Sequence, residues 1–469
     1  MSRRKKFFGA CLLCVLMSVA LDPSGAAASA DVKLSLPQID KVALPNGGVA
    51  FFVKDDIPLF SITASFGYGA CYEDADTAGL GSLLAKYLPL AGSRLYPREK
   101  LSSAVEAMGG SIAVTSGSER TTVSITVLDR FRRQAMEMLA DVIMRPEQSQ
   151  EALAIAKELA ANSIRQNYDK PANAAVLKLR ALLFNGRGIG AEQTVAKTNS
   201  YSLDDIAGLM KRIFTSGNMA LGVRFYGDAE EAKRLAQTAF AAMPIGKALD
   251  YGINREETKR HIKSVAGKIF LYHKDIPQST IITGTIAPAA GDSDAYATEA
   301  MNYVLGSGGF GSRLFSEIRT KRGLAYSAYS NISMLKRIGV FAAFTQVEVS
   351  NTAVALRLML ENFDRMTKQP LTTSELNWVR RSIGNSYVFG FETFADVLSK
   401  KMLGFFYDLP ADYYDKYLDN INAVTASQTT AAAERLFENG LVRVVVGPAS
   451  LADSLSAFGQ VEILNVNEN

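Results

Sequence analysis

Histidine is almost absent from this 469-residue chain. There are two, His261 and His273, and residues 1–260 contain none. That removes the paired helical histidines from which a hydrolytic zinc centre is usually built, and it leaves Cys71 with no nearby imidazole to activate it. Cysteine is nearly as scarce. Of the three, Cys11 and Cys14 fall within the first thirty residues, so Cys71 has no partner in the rest of the chain. Stability therefore has to come from large apolar cores, not from disulfides. No apolar run after residue 30 approaches the roughly 20 residues that cross a bilayer. There is no Gly-x-x-x-x-Gly-Lys-Ser/Thr phosphate loop and no intact Gly-x-Ser-x-Gly elbow. An excess of one charge is also missing. Four of the 51 Lys and Arg and one of the 47 Asp and Glu lie in the first thirty residues, leaving 47 against 46 beyond them. That balance argues against nucleic acid as a partner.

The N-terminus is organised differently. Arg3, Arg4, Lys5 and Lys6 precede an apolar run from Phe7 to Ala20, and Ala28-Ser29-Ala30 offers small residues for cleavage. The pattern predicts a secretory signal peptide over 1–30, cut before Asp31. The expected location is outside the cytoplasm: periplasmic in a Gram-negative host, secreted otherwise.

Beyond it the chain reads as a tandem repeat. Residues 42–66 resemble 264–286, with Lys54-Asp55-Asp56-Ile57-Pro58 echoed by His273-Lys274-Asp275-Ile276-Pro277. Each half continues into a helix (79–90; 294–305), strand-like alternation (110–128; 324–348) and a helix ending near a proline (130–144; 350–367). Each then closes on a short β run (218–229; 440–450). The reading is α+β: two tandem homologous α/β sandwich domains, each a sheet with helices on one face, in a clam-shell arrangement. The domains are placed at 36–245 and 264–460. The polar, aperiodic segment 246–263 is read as their linker.

One stretch, 302–330, concentrates unusual residues. Gly306, Gly308, Gly309 and Gly311 fall within six positions, followed by a helical pattern through Leu314, Phe315 and Ile318. Arg319, Lys321 and Arg322 occupy its last turn, Gly323 supplies a stop, and the next ten residues alternate like a strand. Arg319 and Tyr326 thus leave a helix end and a strand start, close enough to converge on one ligand. On spacing alone this is ordinary helix–turn–strand packing.

The tandem halves, and the run Ser312–Ser330 in particular, resemble the pitrilysin/insulinase family of zinc metallopeptidases, over essentially the whole chain after the signal. In that family one half carries a His-x-x-Glu-His helix and a later glutamate. Here those positions fall on Ser82, Ala85, Lys86 and, farther on, Ser163, with Glu158 nearby. None of the four suits a zinc site, and the Lys86 ammonium repels a cation. The other half of the family's site does match: an arginine and a tyrosine that grip substrate backbone and developing oxyanion, here Arg319 and Tyr326. Gly306, Gly308, Gly309 and Gly311 sit where processing peptidases have a glycine-rich substrate loop.

The resemblance therefore implies a non-catalytic subunit, inactive alone, in a heterodimer with a homologous zinc-bearing subunit, acting on unfolded peptide. The implied chain holds no cofactor, and the zinc is expected in the partner. The alternative is an inactive peptide-binding, chaperone-like or assembly protein working without such a partner.

Overall fold

Alternation builds the strands. In Arg120–Leu128, Val123, Ile125 and Val127 are buried while Thr122, Ser124 and Thr126 are half-exposed on the opposite face. The computed structural model describes residues 37–464, so the expected signal peptide lies outside the described residues. The first half forms a six-stranded sheet from β1 (Ile39–Ala43), β2 (Val49–Lys54), β3 (Leu59–Gly67), β4 (Ser111–Ser116), β5 (Arg120–Leu128) and β6 (Met219–Phe225). The second does the same with β7 (Ile269–His273), β8 (Gln278–Ala287), β9 (Ala325–Met334), β10 (Gly339–Glu348), β11 (Val442–Gly447) and β12 (Val461–Leu464).

The spatial orders are β1-β2-β6-β3-β5-β4 and β12-β7-β11-β8-β10-β9, so the two sheets superpose strand for strand in order. The central pairings repeat as well. β2 runs parallel to β6 as β7 does to β11, and the remaining inner pairs are antiparallel. The α+β tandem architecture read from the sequence is present. Only the outer edge differs. In the first half it is an N-terminal strand antiparallel to β2; in the second it is a C-terminal strand parallel to β7. That last strand lies past residue 460, beyond the boundary drawn from the sequence.

Each half packs its own helices on one face of its sheet. Leu80–Ala91 buries Leu80, Leu83, Leu84, Tyr87, Leu88 and Ala91, an i, i+3, i+4, i+7 stripe. Ser82, Ala85 and Lys86 are left half-exposed. The opposite face is covered by a helix from the other half, which the one-face expectation did not include. Helix Pro171–Leu183 lays Ala175, Leu179 and Leu183 against Phe270, Ile282, Val442 and Val444 of the second sheet. Helix Phe394–Phe406 lays Leu398 and Met402 against Phe51, Val53 and Ala220 of the first. Both crossings need glycine. A Cβ on Gly284 would stand 2.8 Å from a Leu179 methyl, and one on Gly222 2.5 Å from the Met402 sulfur. A clam-shell built of these halves is latched from both sides.

The linker also differs from its reading. Residues 246–254 lack regular structure, but Arg255–Val265 is a helix, capped by the Asn254 side chain and acidic in its first turn. Its only buried residue is Ile262, which is why no apolar period announced it. Tyr251 is buried, and its hydroxyl donates to the Glu119 carboxylate. Glu119 also accepts from the Tyr407 hydroxyl and, at 2.9 Å, from the Lys336 backbone N–H. One carboxylate thus joins the first half, the linker, the β9–β10 turn and the end of an exchanged helix.

Candidate functional site

Arg319 sits on a helix that changes pitch. The chain starts an α-turn at Arg313–Phe315 and then widens, so that the Lys321 N–H bonds the Ser316 carbonyl five residues back at 2.9 Å. Leu314 and Ile318 anchor the turn in the core, and Arg313 grips Glu375 through two bonds of 2.9 and 3.1 Å. Gly323 ends it at φ +64, the left-handed stop that the sequence indicated, with its N–H on the Arg319 carbonyl at 2.8 Å.

β9 begins two residues later and is interrupted at once. Ala325 pairs with Val347 and Ala328 with Thr345, so Tyr326 and Ser327 together oppose the single Gln346. This bulge turns Tyr326 outward, 86% exposed. The pair singled out from the sequence is brought into contact. The Arg319 guanidinium carbon lies 4.8 Å from the Tyr326 ring centre. It is also 4.8 Å from Phe315 and 5.8 Å from Phe310, which is itself 79% exposed. Neighbouring cations are occupied. Lys321 and Arg322 bind Glu317, also approached by Arg365, and these pairs hold the Glu317 carboxyl below its usual range. Among the described residues Arg319 has no ion-pair partner.

The glycine-rich turn has packing reasons of its own. A Cβ on Gly306 would lie 2.3 Å from the Ser330 backbone nitrogen. On Gly308 and Gly311 it would lie 2.5 and 2.8 Å from the Trp378 ring. Gly309 alone faces open space, at φ +68. Three of the four glycines therefore let the turn lie flat on Trp378 and β9, and the fourth makes the bend.

The four positions that the resemblance matched to a zinc site lie on two packed helices and are chemically unsuited to a metal. Ser82, Ala85 and Lys86 share the half-exposed side of Leu80–Ala91, which packs against the Gln150–Asp169 helix carrying Ser163. The Ser163 hydroxyl donates to its own helix, to the Leu159 carbonyl at 2.8 Å, and Glu158 is exposed. Hydroxyls, a methyl and an ammonium do not fit zinc, which takes thiolate, imidazole or carboxylate ligands. Among the described residues no three His, Cys, Asp or Glu side chains stand close enough to hold a metal ion. His261 donates its Nε2–H to the Leu182 carbonyl at 2.7 Å, on a cleft of about 600 Å³ shared with Cys71 and Tyr251. His273 lies 3.2 Å from Asp275. Burial pushes the Cys71 thiol up, away from the reactive thiolate.

Sequence reasoning missed two features here. Phe310 and Phe315 wall Arg319, and only their aromatic character hinted at it. Glu73, buried six residues before Gly79, accepts from the Gly79 and Gly81 N–H groups at 2.7 and 2.8 Å and so caps the Leu80–Ala91 helix. Burial pushes its carboxyl up. No local pattern marks such a distant cap.

Comparison with known proteins places the chain in a family. Residues 59–192 match the family described as insulinase (peptidase family M16), and residues 200–383 match the peptidase M16 inactive domain. The chain is 23% identical over 401 residues to an uncharacterized zinc protease of Mycobacterium leprae, covering 83% of this chain and 86% of that protein. It is 23% identical over 430 residues to the non-peptidase homolog YmxG of Helicobacter pylori, covering 90% and 94%. The crystal structure of a peptidase M16 inactive domain from Pseudomonas fluorescens shares the fold, with TM-score 0.77 and 21% identity over 88% of this chain and 98% of that one. The chain belongs to the M16 (insulinase) peptidase family and carries that family's inactive domain.

Proposed function

We propose that the chain is the non-catalytic subunit of an exported two-chain M16 metallopeptidase. A homologous partner brings the zinc, and this chain presents Arg319 and Tyr326 to the partner's site, where an unfolded polypeptide is cut. The observation that carries the reading is the Arg319–Tyr326 contact itself. A helix of altered pitch, a left-handed glycine and a strand bulge together hold the half-buried Arg319 guanidinium 4.8 Å from the ring centre of the exposed Tyr326, with Arg319 unpaired among the described residues. Arg supplies a planar fork of N–H donors and Tyr a single O–H. Such donors stabilise charge developing on a carbonyl oxygen, and neither can activate water. Ser82, Ala85, Lys86 and Ser163 supply no metal ligand, so the nucleophile has to come from another chain. β9 is the last strand of its sheet beside Tyr326, and an extended peptide can add to such an edge.

The similarity to a non-peptidase homolog favours a second reading, a peptide-binding protein that works without a zinc partner. Co-expression with a zinc-bearing M16 chain from the same host separates the two. The first reading expects a stable complex that cleaves unfolded peptide while neither chain does so alone. A partner chain fully active by itself, or no complex, refutes it.

A further inference from the structure

The Arg319 turn has a feature that gripping a neutral backbone does not require: an aromatic enclosure around an unpaired cation. Lys321, Arg322 and Arg313 in the same turn all have carboxylate partners. Arg319 has rings instead, Phe315 and Tyr326 at 4.8 Å and Phe310 at 5.8 Å. Three rings within 6 Å leave Arg319 half-buried, and among the described residues its guanidinium N–H groups have no acceptor. The ligand that satisfies a planar fork of donors in such surroundings is a carboxylate, bound by two parallel charge-assisted bonds.

The strand indicates which carboxylate. β9 starts at Ala325, immediately beside this enclosure, and ends its sheet. A peptide added antiparallel to β9, the sense in which β10 already pairs with it, runs its C-terminus toward the start of β9. Its last residue then arrives beside Phe310, whose ring is 79% exposed at the tip of the glycine turn.

We propose that Arg319, walled by Phe310, Phe315 and Tyr326, is a subsite for the α-carboxylate of a peptide that ends in a bulky apolar residue, with that side chain stacked on Phe310. The proposal rests on the reading that this face binds extended peptide, and it concerns the isolated chain, with no peptidase partner required. The protein carries its own reporter. Its sole tryptophan, Trp378, lies under the turn, where added Cβ atoms on Gly308 and Gly311 would touch it.

The test titrates the purified chain with acetyl-Ala-Ala-Ala-Phe as the free acid and as the C-terminal amide. Acetyl-Ala-Ala-Ala-Ala acid and acetyl-Ala-Ala-Asp-Phe amide complete the set, read by Trp378 fluorescence and calorimetry. The free acid ending in Phe should bind saturably, and its amide roughly 10- to 100-fold more weakly, the range set by a charge-assisted pair. Arg319→Ala should erase the difference between acid and amide. Phe310→Ala should erase the preference for Phe over Ala and keep the acid preference; its exposure leaves folding little affected. Equal binding of acid and amide overturns the proposal. So does equally tight binding of the amidated Asp peptide, which would assign the site to acidic side chains, and so does the absence of saturable binding by all four peptides. Turnover of the reconstituted pair on bonds far from a peptide's end does not involve an α-carboxylate. An Arg319→Ala variant that abolishes such turnover while the chain shows no acid preference would remove this inference and leave the proposed function standing.

Discussion

Glu119→Ala should destabilise the whole chain, because one buried carboxylate joins parts of it that are far apart in sequence. Glu119 is 6% exposed and accepts from the Tyr251 and Tyr407 hydroxyls and the Lys336 N–H. Truncation leaves all three donors facing a cavity. At about 1–3 kcal/mol per unmade buried bond, less what an entering water recovers, the expected loss is about 4 kcal/mol. That is a large share of the roughly 5–15 kcal/mol that typical domains possess. Glu119→Gln keeps one acceptor oxygen but sets an amide N–H₂ against a donor, so about 1–2 kcal/mol should go. Tyr251→Phe should cost about 2 kcal/mol, since the Arg337 N–H, 3.2 Å from the Tyr251 oxygen, loses its acceptor as well. Urea unfolding followed by circular dichroism and by Trp378 fluorescence measures this. Trp378 lies in the second half and Glu119 in the first, so both probes should shift together in the variant. A Glu119→Ala loss under 1 kcal/mol, or a shift in one probe only, would refute the claim that this carboxylate ties the halves.

Glu73 makes a pH prediction. Burial raises its folded pKa above the ordinary 4.5, so the stability it contributes is complete below about that pH and falls as pH rises toward the folded value. Glu73→Gln lacks this slope, so the variant should gain on wild type between pH 4 and pH 7 in urea titrations. A constant difference across that range contradicts the assignment. The purified chain alone should hold no stoichiometric zinc and cleave no peptide, as elemental analysis and a quenched-peptide assay would establish. One tightly bound zinc with chelator-sensitive cleavage would overturn the reading of Ser82, Ala85, Lys86 and Ser163. Limited proteolysis should nick the irregular segment 246–254, and the two fragments should still elute together in gel filtration, because helices Pro171–Leu183 and Phe394–Phe406 each lie on the other fragment's sheet. Fragments that separate without denaturant would argue against that exchange.

What the sequence made legible was local. Gly323 as a helix stop, the strand after it and the repeated order of elements follow from turn chemistry and periodicity within a few residues. That Arg319 and Tyr326 come near one another followed from the same spacing, but their direct contact and its form did not. The bulge at Tyr326–Ser327 depends on pairing with Gln346, twenty residues on, and the widened turn carries no sequence signature. Which sheet a helix covers is a tertiary choice. Ala175, Leu179 and Leu183 look the same whether they face their own half or the other. The Arg255–Val265 helix was hidden for the opposite reason. It lies on the surface with one buried residue, so its evidence was in its caps and charges and not in an apolar stripe. β12 escaped because an edge strand of four residues after a glycine turn has too few positions to show a period.

The central claim, that this chain lends two donors to a partner's active site, is tested most directly by turnover of the reconstituted two-chain enzyme carrying Arg319→Ala, Tyr326→Phe or both. Tyr326→Phe keeps the ring over Arg319 and removes only the hydroxyl of an exposed residue, so it should melt as wild type does, whereas Arg319→Ala gives up its ring contacts and should lose about 1 kcal/mol. If the donors stabilise the transition state, turnover should fall by about 10²-fold or more for each, while complex formation is preserved. Wild-type turnover in the double variant, at equal zinc content and equal complex, would contradict the account and leave this chain a scaffold.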